Sequence, residues 1–131
     1  MDANPDRAFW IIGAQPDQDS LLDRHGFYSA GLAWKVVPKD EQIPVTQVDR
    51  DAERIARSYR PPSLDEVDRR TFEWAILIQY AEAYQRVAAM YASAQRSSEA
   101  RAWAGRALAV NPDLADARAL LARLEQAPAR P

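Results

Sequence analysis

The chain has 131 residues, of which 47% are hydrophobic and 27% are charged, and its formal net charge is −2. This composition can build a folded core, and it lacks the basic excess that nucleic-acid binding usually requires. Cysteine is absent, which excludes disulfides, thiol chemistry and cysteine-ligated metal sites. The longest apolar-rich run, residues 74–84, is too short to span a bilayer, since a spanning helix needs about 20 apolar residues. We expect no membrane insertion of this segment, and its abrupt start suggests a piece of a longer chain.

The first part of the chain predicts a small element with two strands. Arg7–Ile12 is a short apolar and aromatic run that suits a buried strand, and Leu32–Val37 predicts the second strand. Between them, Asp19 or Ser20 can cap a short helix that Gly26 stops. A strand, a helix and a strand in this order predict a parallel pair with a crossover.

An amphipathic helix is predicted at Asp49–Tyr59, because its apolar residues share one face and its charged residues share the other. Lys39–Gln47 contains Pro44 and predicts a loop or an edge strand before this helix. Arg60–Pro62 ends the helix. We therefore assign residues 1–62 to an N-terminal α/β region.

Three helices are predicted in residues 63–127, and residues 128–131 form a tail. Ser63–Glu66 has the form of a capping box, which opens a long helix that reaches Ser93. Ala94–Ser97 is the turn to a shorter helix, and Asn111 can cap the last helix with Pro112 at its first position. The long helix carries two apolar seams, Trp74, Leu77, Ala81, Tyr84, Ala88 and Tyr91, and Ile76, Tyr80, Ala83, Val87 and Met90. A helix with two apolar sides lies between neighbours, so we expect both regions to fold as one cooperative domain.

The segment Ala81–Pro112 resembles one tetratricopeptide repeat, a unit of about 34 residues in two antiparallel helices. The resemblance is carried by Tyr84, Ala88, Tyr91, Ala100, Ala104, Ala107 and Pro112. Small residues are needed where the two helices cross, and Ala88 and Ala100 occupy those places. The chain departs from the repeat at Ala88, where Gly is common, at Ala104, where an aromatic residue is usual, and at Gln95, where Gly is frequent. The resemblance covers about a quarter of the chain, and it implies a non-catalytic domain for protein interaction or scaffolding, closed by the last helix.

The same resemblance implies which residues of the first repeat helix face a binding groove. They are Glu82, Gln85, Arg86, Ala89, Ala92 and Ser93. Together they form a small polar patch that is consistent with contact to a protein or peptide partner. Self-association is a further expectation, because uncovered repeat faces commonly pair. A single unit cannot bury both of its faces, so we expect the N-terminal region to cover the long helix.

A second resemblance extends over more of the chain. Arg7–Ile12, Gly26-Phe27 and Gly31–Pro38, followed by the amphipathic helix and the repeat, are similar to the soluble C-terminal tail of bacterial polytopic membrane proteins related to protein O-mannosyltransferases. Trp34-Lys35 stands where that family has Tyr-Arg. The alternative function that this implies is an accessory, non-catalytic and extracytoplasmic domain of a membrane-embedded glycosyltransferase-like protein.

No catalytic, cofactor or metal site is predicted. His25 is the only histidine, which excludes a multi-histidine metal site, and its position favours a helix cap or a surface residue. The acidic groups Asp17/Asp19 and Asp49/Asp51/Glu53 stand at predicted helix starts, where acidic residues favour the helix dipole. The four tryptophans, Trp10, Trp34, Trp74 and Trp103, are expected in the core. The overall prediction is a mostly α (α+β) fold that is not an enzyme.

Overall fold

A computed structural model describes residues 8–12, 23–61 and 66–126. The helices and strands in this part of the chain are β1 Phe9–Ile12, β2 His25–Ala30, β3 Ala33–Pro38, α1 Val45–Ser58, α2 Phe72–Ser93, α3 Ser97–Val110 and α4 Ala115–Gln126. The predicted mostly α (α+β) class is confirmed. The chain divides into two compact units, Met1–Arg57 and Ser58–Pro131, whereas the sequence placed the region boundary after residue 62.

The three strands form one antiparallel sheet in the order β1-β3-β2. The prediction of two parallel strands with a helical crossover is therefore wrong. The reason is the hairpin between β2 and β3, whose two-residue turn consists of Gly31 and Leu32. Gly31 has a φ of 69°, which glycine adopts without a steric cost and which matches the twist of a tight hairpin.

His25 is the first residue of β2 and pairs with Pro38, so its predicted place at a helix end is wrong. The hairpin offers residues 25–30 a full set of cross-strand partners, and this outweighs the local helix signal. The remainder of that predicted helix, from Asp19, lies outside the described residues, as do Asp17 and its predicted acidic pair.

The edge strand β1 is less buried than predicted. Trp10 is 44% exposed and Ile12 is 83% exposed, whereas Phe9 and Ile11 on the other face are half-buried. The Lys35 ammonium lies 5.9 Å from the centre of the Trp10 ring. This four-residue apolar run at the edge of a sheet is half-buried on one face and exposed on the other, so the expectation of a buried strand is wrong for Trp10 and Ile12.

The remaining tryptophans have different surroundings. Trp34 and Trp103 are buried, as expected, at 9% and 3% exposure. Trp74 is half-buried, and the guanidinium of Arg69 lies 5.1 Å from its ring centre. Packing in the core therefore accounts for two of the four tryptophans.

The helix α1 begins at Val45, four residues earlier than predicted, and residues 39–44 form no strand. The carbonyl of Pro44 accepts hydrogen bonds from the amides of Gln47 and Val48, at 2.8 and 3.3 Å. Proline has no amide hydrogen to donate to a sheet, but this costs nothing at the start of a helix. Pro44 therefore opens the helix and does not mark an edge strand.

The helix α2 begins at Phe72, later than the capping-box pattern predicts. Residues 63–65 lie outside the described part, and Glu66 to Thr71 are not α-helical. The Asp68 side chain accepts a hydrogen bond from the Arg70 amide at 2.9 Å, and the Asp68 carbonyl accepts one from the Thr71 amide at 3.0 Å. These local bonds form a turn that competes with helix formation.

The C-terminal unit has its core where α2, α3 and α4 meet. The buried residues of these helices are Leu77, Ala81, Ala83, Tyr84, Val87, Ala88, Tyr91, Ala100, Trp103, Ala104, Ala107, Ala117, Leu120 and Leu124. Seven are alanines with no more than 1% exposure, so the helix backbones lie close together. The rings of Tyr84 and Trp103 are 5.8 Å apart and fill the space that small residues leave beside them.

Candidate functional site

The turn between α2 and α3 fixes the direction of the helical hairpin. The amide of Arg96 donates to the carbonyl of Tyr91 at 2.9 Å, and the amide of Gln95 donates to the carbonyl of Ala92 at 3.1 Å. Gln95 has a φ of 61°, in the left-handed region. This pair of bonds around a left-handed residue is a Schellman motif, which ends a helix abruptly. A three-residue connection then makes α2 and α3 antiparallel neighbours.

A second reversal brings α4 beside α2. The side-chain oxygen of Asn111 accepts a hydrogen bond from the Asp113 amide at 3.1 Å. Because of this side-chain turn, α4 begins only at Ala115. The predicted cap by Asn111 with Pro112 at the first helical position is therefore wrong. The guanidinium of Arg101 on α3 donates to the carbonyl of Leu124, which ties α3 to the end of α4.

The six residues predicted to face a groove share one side of α2. Ala89 and Ser93 are exposed, and the other four, Glu82, Gln85, Arg86 and Ala92, are half-buried. The opposite side of the helix carries its buried residues, among them Ala81, Ala88 and Tyr91. Because one turn of an α-helix contains 3.6 residues, this separation into two sides follows directly from the spacing of the sequence.

An open groove of about 310 Å³ lies between α2 and α4. Its lining residues are Ala89, Ala92, Ser93, Leu120, Arg123 and Leu124. We call it the α2–α4 groove. Ala89, Ala92 and Ser93 are three of the six predicted residues, and the structure brings them together with side chains of α4. Two alanines and two leucines make its surface mostly apolar, and Arg123 supplies the charge among its lining residues.

The other three predicted residues, Glu82, Gln85 and Arg86, lie on the preceding turns of α2 and do not line the groove. Burial lowers the pKa of Arg86, while the Glu82 carboxylate and Tyr59 act in the opposite direction. The side-chain oxygen of Gln85 is buried and accepts no hydrogen bond from the described residues. This part of the predicted patch is therefore a packed polar surface on α2.

Sequence reasoning missed the half of the groove that α4 supplies. A usable signal was present, since Arg123 lies 34 residues after Ala89 and Leu120 lies 34 residues after Arg86. That interval is the length of one tetratricopeptide repeat. Applying the repeat period to the last helix would have named both residues.

The structure shows the surroundings of Asp51 and of His25. Asp51 accepts hydrogen bonds from Tyr28, Gln47 and Arg54, at 3.2, 3.1 and 3.4 Å, so its carboxylate has structural partners. Nδ1 of His25 is buried and has no hydrogen-bond partner among the described residues. No group of three or more metal-ligating side chains occurs in residues 8–12, 23–61 and 66–126.

Comparison with known proteins finds no match of this chain to a protein-family model, to a curated protein or to a solved structure. Among the helices that the structure describes, none has both the length and the apolar character needed to cross a membrane.

Proposed function

We propose that the C-terminal unit is a non-catalytic protein-interaction module of the tetratricopeptide type, which binds a peptide segment of a partner in the α2–α4 groove. The observation that carries the proposal is the groove itself. Three of the six residues selected on α2, Ala89, Ala92 and Ser93, line an open groove with residues of α4, and one of these, Arg123, lies one repeat length after Ala89.

The architecture supports this role in three ways. The helices α2 and α3 form an antiparallel hairpin, and α4 packs beside both of them, with Leu120 and Leu124 buried. The groove volume of about 310 Å³ lies at the lower end of the range of about 300–1,000 Å³ that is usual for ligand pockets. The exposed side chain of Ala89 and the half-buried side chain of Ala92 offer apolar surface that a partner's side chains can cover.

Selection from a random library of displayed 16-residue peptides tests the proposal. The purified chain is immobilised, and enriched sequences are synthesised with a fluorescent label for polarisation measurements. We expect saturable binding of at least one enriched peptide. Ala89→Arg should abolish this binding, because a long charged side chain fills the groove, and Ala89 is exposed, so the helix can accept it.

The matched control is Ala122→Arg. Ala122 is also an exposed alanine in a helix, but it does not line the groove. Circular dichroism should show that both variants are folded. Failure to enrich any peptide, or equal binding by wild type and Ala89→Arg, would contradict the proposal.

A further inference from the structure

We infer that the partner segment is acidic as well as apolar, and that its carboxylate pairs with Arg123. This inference rests on the proposed function, since it names the chemistry of the segment that the α2–α4 groove accepts. It depends on the charge of the groove and on the surroundings of that arginine.

Arg123 is exposed and makes no ion pair or hydrogen bond with any residue in the described part of the chain. Arg118, the other arginine of α4, is bound to Asp113 at 3.1 Å. Arg101 on α3 is bound to the carbonyl of Leu124. Of these three arginines beside α4, Arg123 is therefore the one whose guanidinium is available to an external carboxylate.

The lining residues of the groove include no acidic side chain in the described structure, so no internal carboxylate there competes for Arg123. On α2, Glu82 acts electrostatically on Arg86, which leaves little net charge on the preceding turns of that face. The groove consequently combines an apolar floor with a local positive charge. A basic residue in the segment would be repelled by Arg123. An aspartate or glutamate would pair with Arg123, and a leucine-like side chain next to it would pack on the apolar floor.

The test compares each enriched peptide with a copy in which every aspartate and glutamate is replaced by asparagine or glutamine. We expect aspartate and glutamate to be enriched in the selected sequences. An exposed ion pair contributes up to about 1 kcal/mol, so we expect the neutral copy to bind about fivefold more weakly. Arg123→Gln should weaken the binding of the acidic peptide by a similar factor and leave the binding of the neutral copy unchanged. Added salt should reduce the difference in affinity between the two peptides.

Arg118→Gln is the control, because it removes an arginine from the same helix outside the groove. The midpoint of thermal unfolding of each variant must lie above the assay temperature. This check is needed because Arg123 lies in the last turn of α4, where a cation interacts favourably with the helix dipole and stabilises the helix.

The outcomes separate the inference from the proposed function. Enriched peptides without an acidic bias that are still blocked by Ala89→Arg overturn the inference and leave the proposed function intact. A library without any enriched peptide overturns both. Dimers in light scattering that dissociate on Ala89→Arg identify a second copy as the occupant and overturn the acidic-peptide inference.

Discussion

The hydroxyl of Tyr28 on β2 donates a hydrogen bond to the carboxylate of Asp51 on α1, across 3.2 Å and 23 residues of sequence. Both residues are only 9% exposed. The same carboxylate oxygen accepts a bond from Gln47 at 3.1 Å. Within the N-terminal unit, a single buried carboxylate therefore joins a strand to a helix.

Removal of this bond should destabilise the N-terminal unit. Tyr28→Phe keeps the ring but leaves Asp51 with one donor fewer, and a hydrogen bond to a charged group contributes about 1.5–3 kcal/mol. We expect a loss in that range in urea unfolding followed by circular dichroism. Arg54→Gln is the control, since the Arg54 side chain is 72% exposed, and it should cost less than about 1 kcal/mol. Equal effects of the two substitutions would show that water replaces the Tyr28 hydroxyl.

Glycine at the turn between α2 and α3 should stabilise the chain. Gln95 has a φ of 61°, which costs a residue with a side chain about 1 kcal/mol relative to glycine. Gln95→Gly should therefore raise the free energy of unfolding by roughly that amount. Gln79→Gly makes the same change at an exposed position inside α2, where it should lower the stability by about 1 kcal/mol. If both substitutions changed the free energy of unfolding in the same direction, the left-handed conformation of Gln95 would be contradicted.

Overpacking at Ala88 tests the helix crossing. Ala88 and Ala100 are both completely buried, so three additional carbon atoms at position 88 have no space. Ala88→Leu should cost about 1–3 kcal/mol in chemical denaturation. Ala89→Leu, on the adjacent exposed position, should change the stability by less than about 0.5 kcal/mol. A neutral Ala88→Leu would mean that α2 and α3 do not cross there, and the resemblance to the repeat would fail.

The carboxyl of Glu99 should contribute a pH-dependent stability. A hydrogen bond from Ser98, one from its own backbone amide and one from Arg96 lower its pKa below the ordinary value of 4.5. The Ser98 and Arg96 bonds are 2.7 and 2.8 Å long. A pKa that is lower in the folded state favours folding above the unfolded pKa, and this contribution is lost as the pH falls through the folded value.

An NMR titration of the Glu99 carboxyl should give a midpoint below 4.5, the ordinary value of its pKa. Glu99→Gln should reduce the loss of stability between neutral and acidic pH, as measured by urea unfolding at several pH values. Glu125→Gln, at an exposed position of α4, is the comparison and should change this loss less. A titration midpoint at or above the ordinary value would show that the bonds around Glu99 are not maintained in solution.

Local patterns predicted the helical hairpin well. The small residues of α2 and α3 follow a period of three and four, and the turn after Ser93 lies where the sequence placed it. The same spacing separated the buried side of α2 from the side that carries Ala89 and Ser93. These features depend on contacts between residues that are close in sequence or on one repeating interval, so they can be read without the fold.

Sequence patterns failed where other hydrogen-bond partners compete with the helix for the backbone amides. His25–Ala30 pairs with β3, and this pairing replaced the predicted helix end. Asp68 accepts hydrogen bonds from the amides of Arg70 and Thr71, so α2 begins only at Phe72. In both places the deciding hydrogen bonds come from a partner strand or from the neighbouring Asp68. Helix propensity describes single residues, so it does not include these competing bonds.

The sequence by itself determined the class of the fold, the hairpin and one wall of the groove, because helical periodicity sorts residues by face. Tertiary structure alone decided that α4 supplies the second wall and that Arg123, unlike Arg118, makes no ion pair with the residues that the structure describes. The reason is physical: ion pairs such as Arg118 with Asp113 depend on where turns place the side chains. The position of the Arg123 charge beside the groove is therefore a property of packing.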